Sequence, residues 1–190
     1  MPTPEKIAIV GPASVGKTTI TETYRRRFEF NSDVVVLGEG AELFFARNSG
    51  IPKESIHAVA IQKELQDFVL GREREAYKHG VRFIITDRSV IDPAVYTRFS
   101  GDMSGSKELL NGIVSWIPTY TEFLLPDPAD VPYEVGPYRK ETSQERFAIH
   151  SLFITVLTEN NLPYEVVSGS RQNRIRIIDS VIERYYINTK

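Results

Sequence analysis

Residues 11–18, Gly11-Pro12-Ala13-Ser14-Val15-Gly16-Lys17-Thr18, spell G-x-x-x-x-G-K-[ST] in full, and a second threonine, Thr19, follows. These types at this spacing suit one task, gripping a chain of phosphates. Glycines let successive backbone N–H groups turn inward on the anion, and a helix opening at the end of the loop adds positive potential. Lys17 then reaches the outer phosphates, and the Thr18 hydroxyl can ligate magnesium. Nucleotide contacts are expected from Gly11, Ala13, Ser14, Val15, Gly16, Lys17, Thr18 and Thr19. The competing reading, a glycine turn with an incidental lysine, leaves unexplained why a strand-like run precedes the loop and a helix-like run follows it.

A nucleoside triphosphate needs its magnesium held from a second side, usually by an acid at the carboxyl end of a neighbouring strand. Asp87, after Phe83-Ile84-Ile85-Thr86, stands in such a place and is expected to share the metal with Thr18. A strand-end aspartate can equally cap a helix. Arg88 follows at once, suited to bind a substrate phosphate or offset transferring charge, or else to pair with Asp92 or Glu39. Glu39 comes two residues after the second strand-like run, at the sheet edge where open α/β proteins bind ligands. It can accept a proton from a substrate hydroxyl or hold a magnesium-bound water. Glu42, one helical turn on, is read as the surface acid of the two. Arg139, with Arg146 second, belongs to a charged cluster behind a proline-rich stretch and is the candidate for a lid that closes over the triphosphate. Local Glu–Arg pairing at a helix start is the alternative. Arg171 and Arg174 are set beside the adenine pocket, with exposed helix charges as the other reading.

Positioning these groups takes a sheet. Short apolar runs at 7–10, 34–37, 81–85, 120–125 and 164–167 read as five strands, and helical patterns between them indicate a parallel α/β arrangement. Helices are expected from Lys17 to about Phe28, over 54–79 with Gly71 as the point for a kink, over 141–160, and from Arg171 to about Tyr186. Residues 102–106 read as a surface loop. Pro126, Pro128, Pro132 and Pro137 keep that stretch from forming a regular helix. His79, beside Gly80, reads as a helix terminus. His57 and His150 are assigned to helices without a ligand-spaced partner.

Composition narrows the functions available. At 190 residues, one domain spanning the chain is the default expectation. Lys plus Arg total 23 and Asp plus Glu 25, a formal charge of −2, so no extended nucleic-acid footprint is expected. Without cysteine there is no disulfide framework, thiolate metal site or cysteine nucleophile. No apolar run approaches the roughly 20 residues of a membrane span, and Met1 to Lys6 lack signal-peptide features, so a cytoplasmic location is expected. A homodimer is left open.

The segments GPASVGKTT, LGEGAELF, IITDRSVIDPAVYTRF, YTEFLLP, YRKETSQERF and YEVVSGS together resemble the P-loop kinase-like ATPase family. That family includes the nicotinamide riboside kinase domain and lies near thymidylate and deoxynucleoside kinases. The likeness runs from Lys6 to about Glu183. It implies a three-layer sandwich with a five-stranded parallel sheet in the order 2-3-1-4-5, helices on both faces and a short lid at about 126–146. It further implies ATP with Mg2+ at the loop, and an acceptor pocket between the second strand and the long helix. Glu39, Asp87 and Arg88 would line that pocket, Gln62 or Gln66 would read a base, and Tyr96 and Phe99 would stack on it or serve as core. The chain departs from the Glu-Arg-Ser of many deoxynucleoside kinases at 87–89 and lacks the Asp-Gly usual in thymidylate-kinase loops. The expected function is ATP- and Mg2+-dependent phosphoryl transfer to a nucleoside, nucleotide or related small molecule. The alternatives are a nucleotide-dependent switch ATPase and a kinase acting on a nucleotide within or at the end of a polynucleotide.

Overall fold

A computed structural model describes residues 3–134 and 141–187. Its centre is β1 (Glu5–Ile9), the first strand of the chain, with β3 (Phe83–Asp87) on one side and β4 (Glu122–Pro126) on the other. β2 (Val34–Leu37) and β5 (Tyr164–Val167) form the edges, and all five strands run parallel in the order β2-β3-β1-β4-β5. The resemblance implied this order, and it holds. The three central strands are largely apolar because both their faces are covered, whereas the edge strands β2 and β5 are only partly buried.

The period of two divides the core cleanly. Ala8 and Val10 face one way with Phe123 and Leu125 and pack beneath α3 (Val59–Lys78), α4 (Asp92–Phe99) and α6 (Glu145–Glu159). Ile7 and Ile9 face the other way with Phe83, Ile85 and Leu124, against α1 (Lys17–Arg27) and α7 (Arg171–Ile182). This is the expected three-layer sandwich.

Register then determines which strand ends meet. Ile9 pairs with Asp87 and Leu37 with Thr86, so the residues just past β1, β2 and β3 converge at one edge of the sheet. Asp87 is the last residue of β3 rather than the first beyond it.

Several helices depart from the sequence expectation. The long helix starts at Val59, after a 3-10 turn at Lys53–Ser55, and passes through Gly71 without interruption. The Gly71 position is open on its surface, so the missing side chain creates no local defect. His57 sits in the turn ahead of α3 rather than on a helix. Residues 102–106, expected as a loop, open α5 (Met103–Gly112). The Asp102 carboxylate accepts the Gly105 N–H at 2.7 Å, satisfying one of the four amides a helix start leaves bare, and Leu109 anchors the helix in the core. His79 ends α3 as expected, its N–H bonded to the Ala76 carbonyl and the Gly80 N–H to the Tyr77 carbonyl.

Candidate active site

The loop after β1 needs conformations that ordinary residues avoid. Gly11 has φ 132° and Gly16, which caps α1, has φ 81°. A Cβ on Gly11 would also approach Leu125 Cδ1 to 3.1 Å. Ser14 takes φ 62°, a left-handed strain that its neighbours restrain. Its hydroxyl donates to the Glu134 carbonyl at 3.1 Å and accepts the Glu134 N–H at 2.8 Å. The Arg146 guanidinium donates to the Ser14 carbonyl at 3.1 Å, and Arg174 donates to the Val15 carbonyl at 3.2 Å.

Lys17 is buried, with Nζ donating to the Gly11 carbonyl at 3.0 Å and the Pro12 carbonyl at 2.5 Å. Burial first, and then the Arg88 charge, pull its ammonium down to about 8. The cation is therefore held folded back on the loop at a solvation cost that an arriving polyanion would relieve.

Glu39 and Arg88 are brought together. Arg88 Nε and one terminal nitrogen both lie 3.0 Å from Glu39 Oε1, and Thr18 Oγ1 donates to Glu39 Oε2 at 3.2 Å. Burial would raise the Glu39 carboxyl, but Arg88 and Lys17 outweigh it and hold the group at about 2. Arg88 also reaches Asp92 Oδ1 at 3.4 Å, while Asp92 Oδ2 accepts the Ser89 N–H and hydroxyl. Both of the pairings foreseen for Arg88 exist, and neither removes it from the cavity.

Asp87 lies behind them, 3% exposed, with Oδ2 accepting the Thr21 hydroxyl at 3.1 Å and Oδ1 without a hydrogen-bond partner. Burial, then the charge of Glu39, push its carboxyl up to about 6. Between about pH 4 and 6 the folded chain holds a proton here that the unfolded chain has released, so stability declines as pH rises through this window. Asp87→Asn should accordingly be more stable than the parent at pH 7.5, by on the order of 2 kcal/mol, with the gap closing below about pH 4. Urea unfolding of both proteins at the two pH values measures this.

A cavity of about 290 Å3 joins Lys17, Glu39, Arg88 and Asp92; Asp87, expected in its lining, is buried behind it and is not part of the wall. One end is the loop, with Ala13, Ser14, Gly16, Lys17, Thr18 and Thr19. The other is walled by Phe45, Ile56, His57, Leu65 and Tyr96, and Glu39 with Arg88 lies along the same cavity. Tyr96 and His57 are in ring contact, centroids 5.4 Å apart. Gln62 lines the cavity, whereas Gln66 donates to the Val90 carbonyl at 2.8 Å. Phe99 packs edge-on against His57, and the lining does not include it. Glu42 is exposed at the rim. Arg171 is exposed at the first position of α7, and it is Arg174, one turn on, that touches the loop. Arg139 lies outside the described residues.

Phe45 on α2 (Gly40–Arg47) and Glu134 line the cavity without a sign in the sequence, and Glu141, a member of the charged cluster behind the proline-rich stretch, lines it too. Tyr133 joins them by donating its hydroxyl to the Glu141 carbonyl. The capping pattern Thr142-x-x-Glu145, whose two members bond reciprocally, marks the start of the helix expected after this border.

A parallel sheet in this order, with a Gly-x4-Gly-Lys-Thr loop between its central strand and α1, defines a P-loop protein of the kinase-like class. A family model described as an AAA domain matches residues 6–174, and the chain belongs to that family. No curated protein matches the sequence significantly. Among solved structures, the NadR protein in complex with NAD and AMP-PNP superposes with a TM-score of 0.74 at 15% identity, over 96% of this chain and 49% of that one. This chain thus spans about half of NadR. Deoxyadenosine kinase from M. mycoides gives a TM-score of 0.61 at 14% identity, covering 94% of this chain and 99% of the other. Thymidylate kinase from Ehrlichia chaffeensis gives 0.60 at 14%, covering 95% and 100%. These likenesses establish the shared fold. Among the described residues no helix is long and apolar enough to cross a membrane.

Proposed function

We propose that the chain is a kinase that transfers the γ-phosphoryl group of ATP to a hydroxyl or phosphate of a nucleoside, nucleotide or related small acceptor. The observation that carries this reading is the two-ended cavity. A switch that only hydrolyses ATP needs room for a water, whereas here a ring-lined compartment continues from the phosphate loop past Glu39 and Arg88. The crystallised relatives named for NAD, AMP-PNP and deoxyadenosine kinase activity agree with nucleotide-like ligands on this fold.

The roles follow from position. The amides of residues 13–19 and the Lys17 ammonium would grip the triphosphate, with Lys17 leaving its loop carbonyls for phosphate oxygens. The residues fit a magnesium ion, since Asp87 Oδ1 is a buried carboxylate oxygen still wanting a partner and the Thr18 hydroxyl faces a second carboxylate, Glu39, at 3.2 Å. Bound there by Thr18 and Asp87, the ion would supply charge neutralisation for the β- and γ-phosphates. Glu39 orients the acceptor hydroxyl. A carboxylate held at about 2 is a weak base, which suits a loose transition state in which the hydroxyl proton is released late. Arg88 can turn from Glu39 toward the transferring group and offset its charge, and Arg139 is the proposed lid cation. Residues 126–146 would form the lid of a chain that acts as one domain, with Arg146 and Glu134 seating its borders on Ser14.

The test is acceptor-dependent ADP formation. With Mg2+ and ATP, a panel of nucleosides and nucleotides should contain members that raise ADP release at least tenfold over the basal rate. Slow phosphate release unaffected by any acceptor would instead identify a switch ATPase.

A further inference from the structure

A second buried polar network meets the segment after Asp87 without lining the cavity, and phosphoryl transfer as proposed makes no use of it. Lys6 on β1 is fully buried, and its Nζ is 2.6 Å from Glu73 Oε2 on α3. The ammonium is caged by the rings of Tyr120, Trp116 and Tyr77, with centroids at 3.6, 4.7 and 5.3 Å. Trp116 Nε1 donates to Glu73 Oε2 at 2.7 Å, and the Tyr120 hydroxyl donates to Glu73 Oε1 at 2.5 Å. Both carboxylate oxygens are thus occupied.

The direction of these bonds matters. Because the Tyr120 proton is committed to a carboxylate, its oxygen lone pair is left to accept, and it accepts the Val90 N–H at 3.1 Å. The charged acceptor polarises the hydroxyl and strengthens that second bond. Gln66 takes the Val90 carbonyl at 2.8 Å. Both backbone polar groups of Val90 are therefore held by side chains from elsewhere in the fold, in a segment that belongs to neither β3 nor α4.

Two residues earlier stands Arg88, with φ 71°. A left-handed arginine costs roughly 1 kcal/mol or more, and such a conformation persists only where its surroundings over-determine it. On one side Arg88 N–H is bonded to the Ile9 carbonyl at 2.9 Å. On the other, Val90 supplies the second fixed point. A buried ion pair is a poor way to gain stability, since well-packed apolar replacements are often neutral or better. Its use here is directional: it fixes which way the Tyr120 hydroxyl points.

We infer that Glu73 and Tyr120 are positioning residues that act through the Val90 amide to hold the Arg88 backbone, and so the guanidinium, in register with Glu39 and the phosphate loop. The catalytic half of this inference rests on the phosphoryl-transfer reading, while the clamp on residues 88–91 does not. Two variants test it. Tyr120→Phe deletes the one hydroxyl; Lys6→Met with Glu73→Leu keeps the packing but removes the carboxylate that orients it. Amide exchange by NMR is expected to rise at least tenfold at Val90, and more there than across the sheet, in both variants. The turnover number should fall roughly ten- to hundredfold with KM for ATP within about twofold, the pattern of a misplaced transition-state group. In the double variant Trp116 Nε1 and the Tyr120 hydroxyl lose their acceptor, so its melting temperature is expected to fall. Turnover is therefore compared at a temperature where parent and variants are all folded by circular dichroism, which separates positioning from stability. Parent-like exchange at Val90 in folded Tyr120→Phe would overturn the clamp. Faster exchange with an unchanged turnover number would overturn the catalytic half. A parent chain that phosphorylates no acceptor defeats the phosphoryl-transfer reading, and the exchange comparison still decides the clamp.

Discussion

Replacing Lys17 with alanine is expected to remove nucleotide binding from a chain that keeps its fold. Charging the ammonium in its buried position is costly, as its fall to about 8 indicates, so the folded state does not depend on that charge. What is lost without ligand is two bonds to the Gly11 and Pro12 carbonyls, a modest cost beside the desolvation of the ammonium that is relieved at the same time. What is lost with ligand is larger. Two charge-assisted bonds to phosphate oxygens, each about 1.5–3 kcal/mol, correspond to at least a hundredfold weaker binding of Mg-ATP. Titration calorimetry of parent and variant, with circular dichroism to verify the fold, measures both halves. Parent-like affinity in the variant would remove the loop from the account.

Glu39→Gln is expected to leave ATP affinity within a few-fold of the parent while slowing transfer by roughly a hundredfold or more, the usual scale for a positioned acid or base. Glutamine keeps the shape and still offers one oxygen to Thr18 or Arg88. It withdraws the negative charge that now holds Arg88 by two nitrogens at 3.0 Å and that would receive the acceptor proton. Because the charge acts on the acceptor hydroxyl and the transferring group, and gains strength only as the proton is released in the transition state, the loss belongs in the turnover number rather than in KM for ATP. Single-turnover transfer rates at saturating ATP read it directly, and a variant transferring at the parent rate would leave Glu39 as a structural partner of Arg88 alone.

The parts of this molecule legible in its sequence are those set by local rules. The strands declared themselves through short apolar runs, clearest where both faces are covered, as 7–9, 83–85 and 123–125 illustrate. The phosphate loop did so because its glycines answer to backbone geometry within eight residues. Helices that are short or evenly buried did not. In α4 every residue from Asp92 to Thr97 is buried, which erases the 3.6-residue period, and α2 is eight residues opening on a glycine. Residues 102–106 misled for another reason: Asp102 and the glycine and serines after it suit a loop and a capped helix start equally, and Leu109 decides between them only once a core exists. In the site, Glu39, Asp87 and Arg88 could be named from strand ends, but their partnership depends on the pairing of β2 with β3 and of β3 with β1. Arg174 and Glu134 meet the loop across more than a hundred residues, and no spacing in the sequence carries that contact.

The most direct test of the account follows the phosphoryl group itself. The parent protein would be incubated with Mg2+ and ATP labelled with 18O in its γ-phosphate, together with a mixture of nucleosides and nucleotides, and the products read by mass spectrometry. The account predicts labelled phosphate on an organic acceptor, with transfer lost in Lys17→Ala and strongly slowed in Glu39→Gln. Label recovered only in inorganic phosphate, whatever acceptor is present, would contradict it.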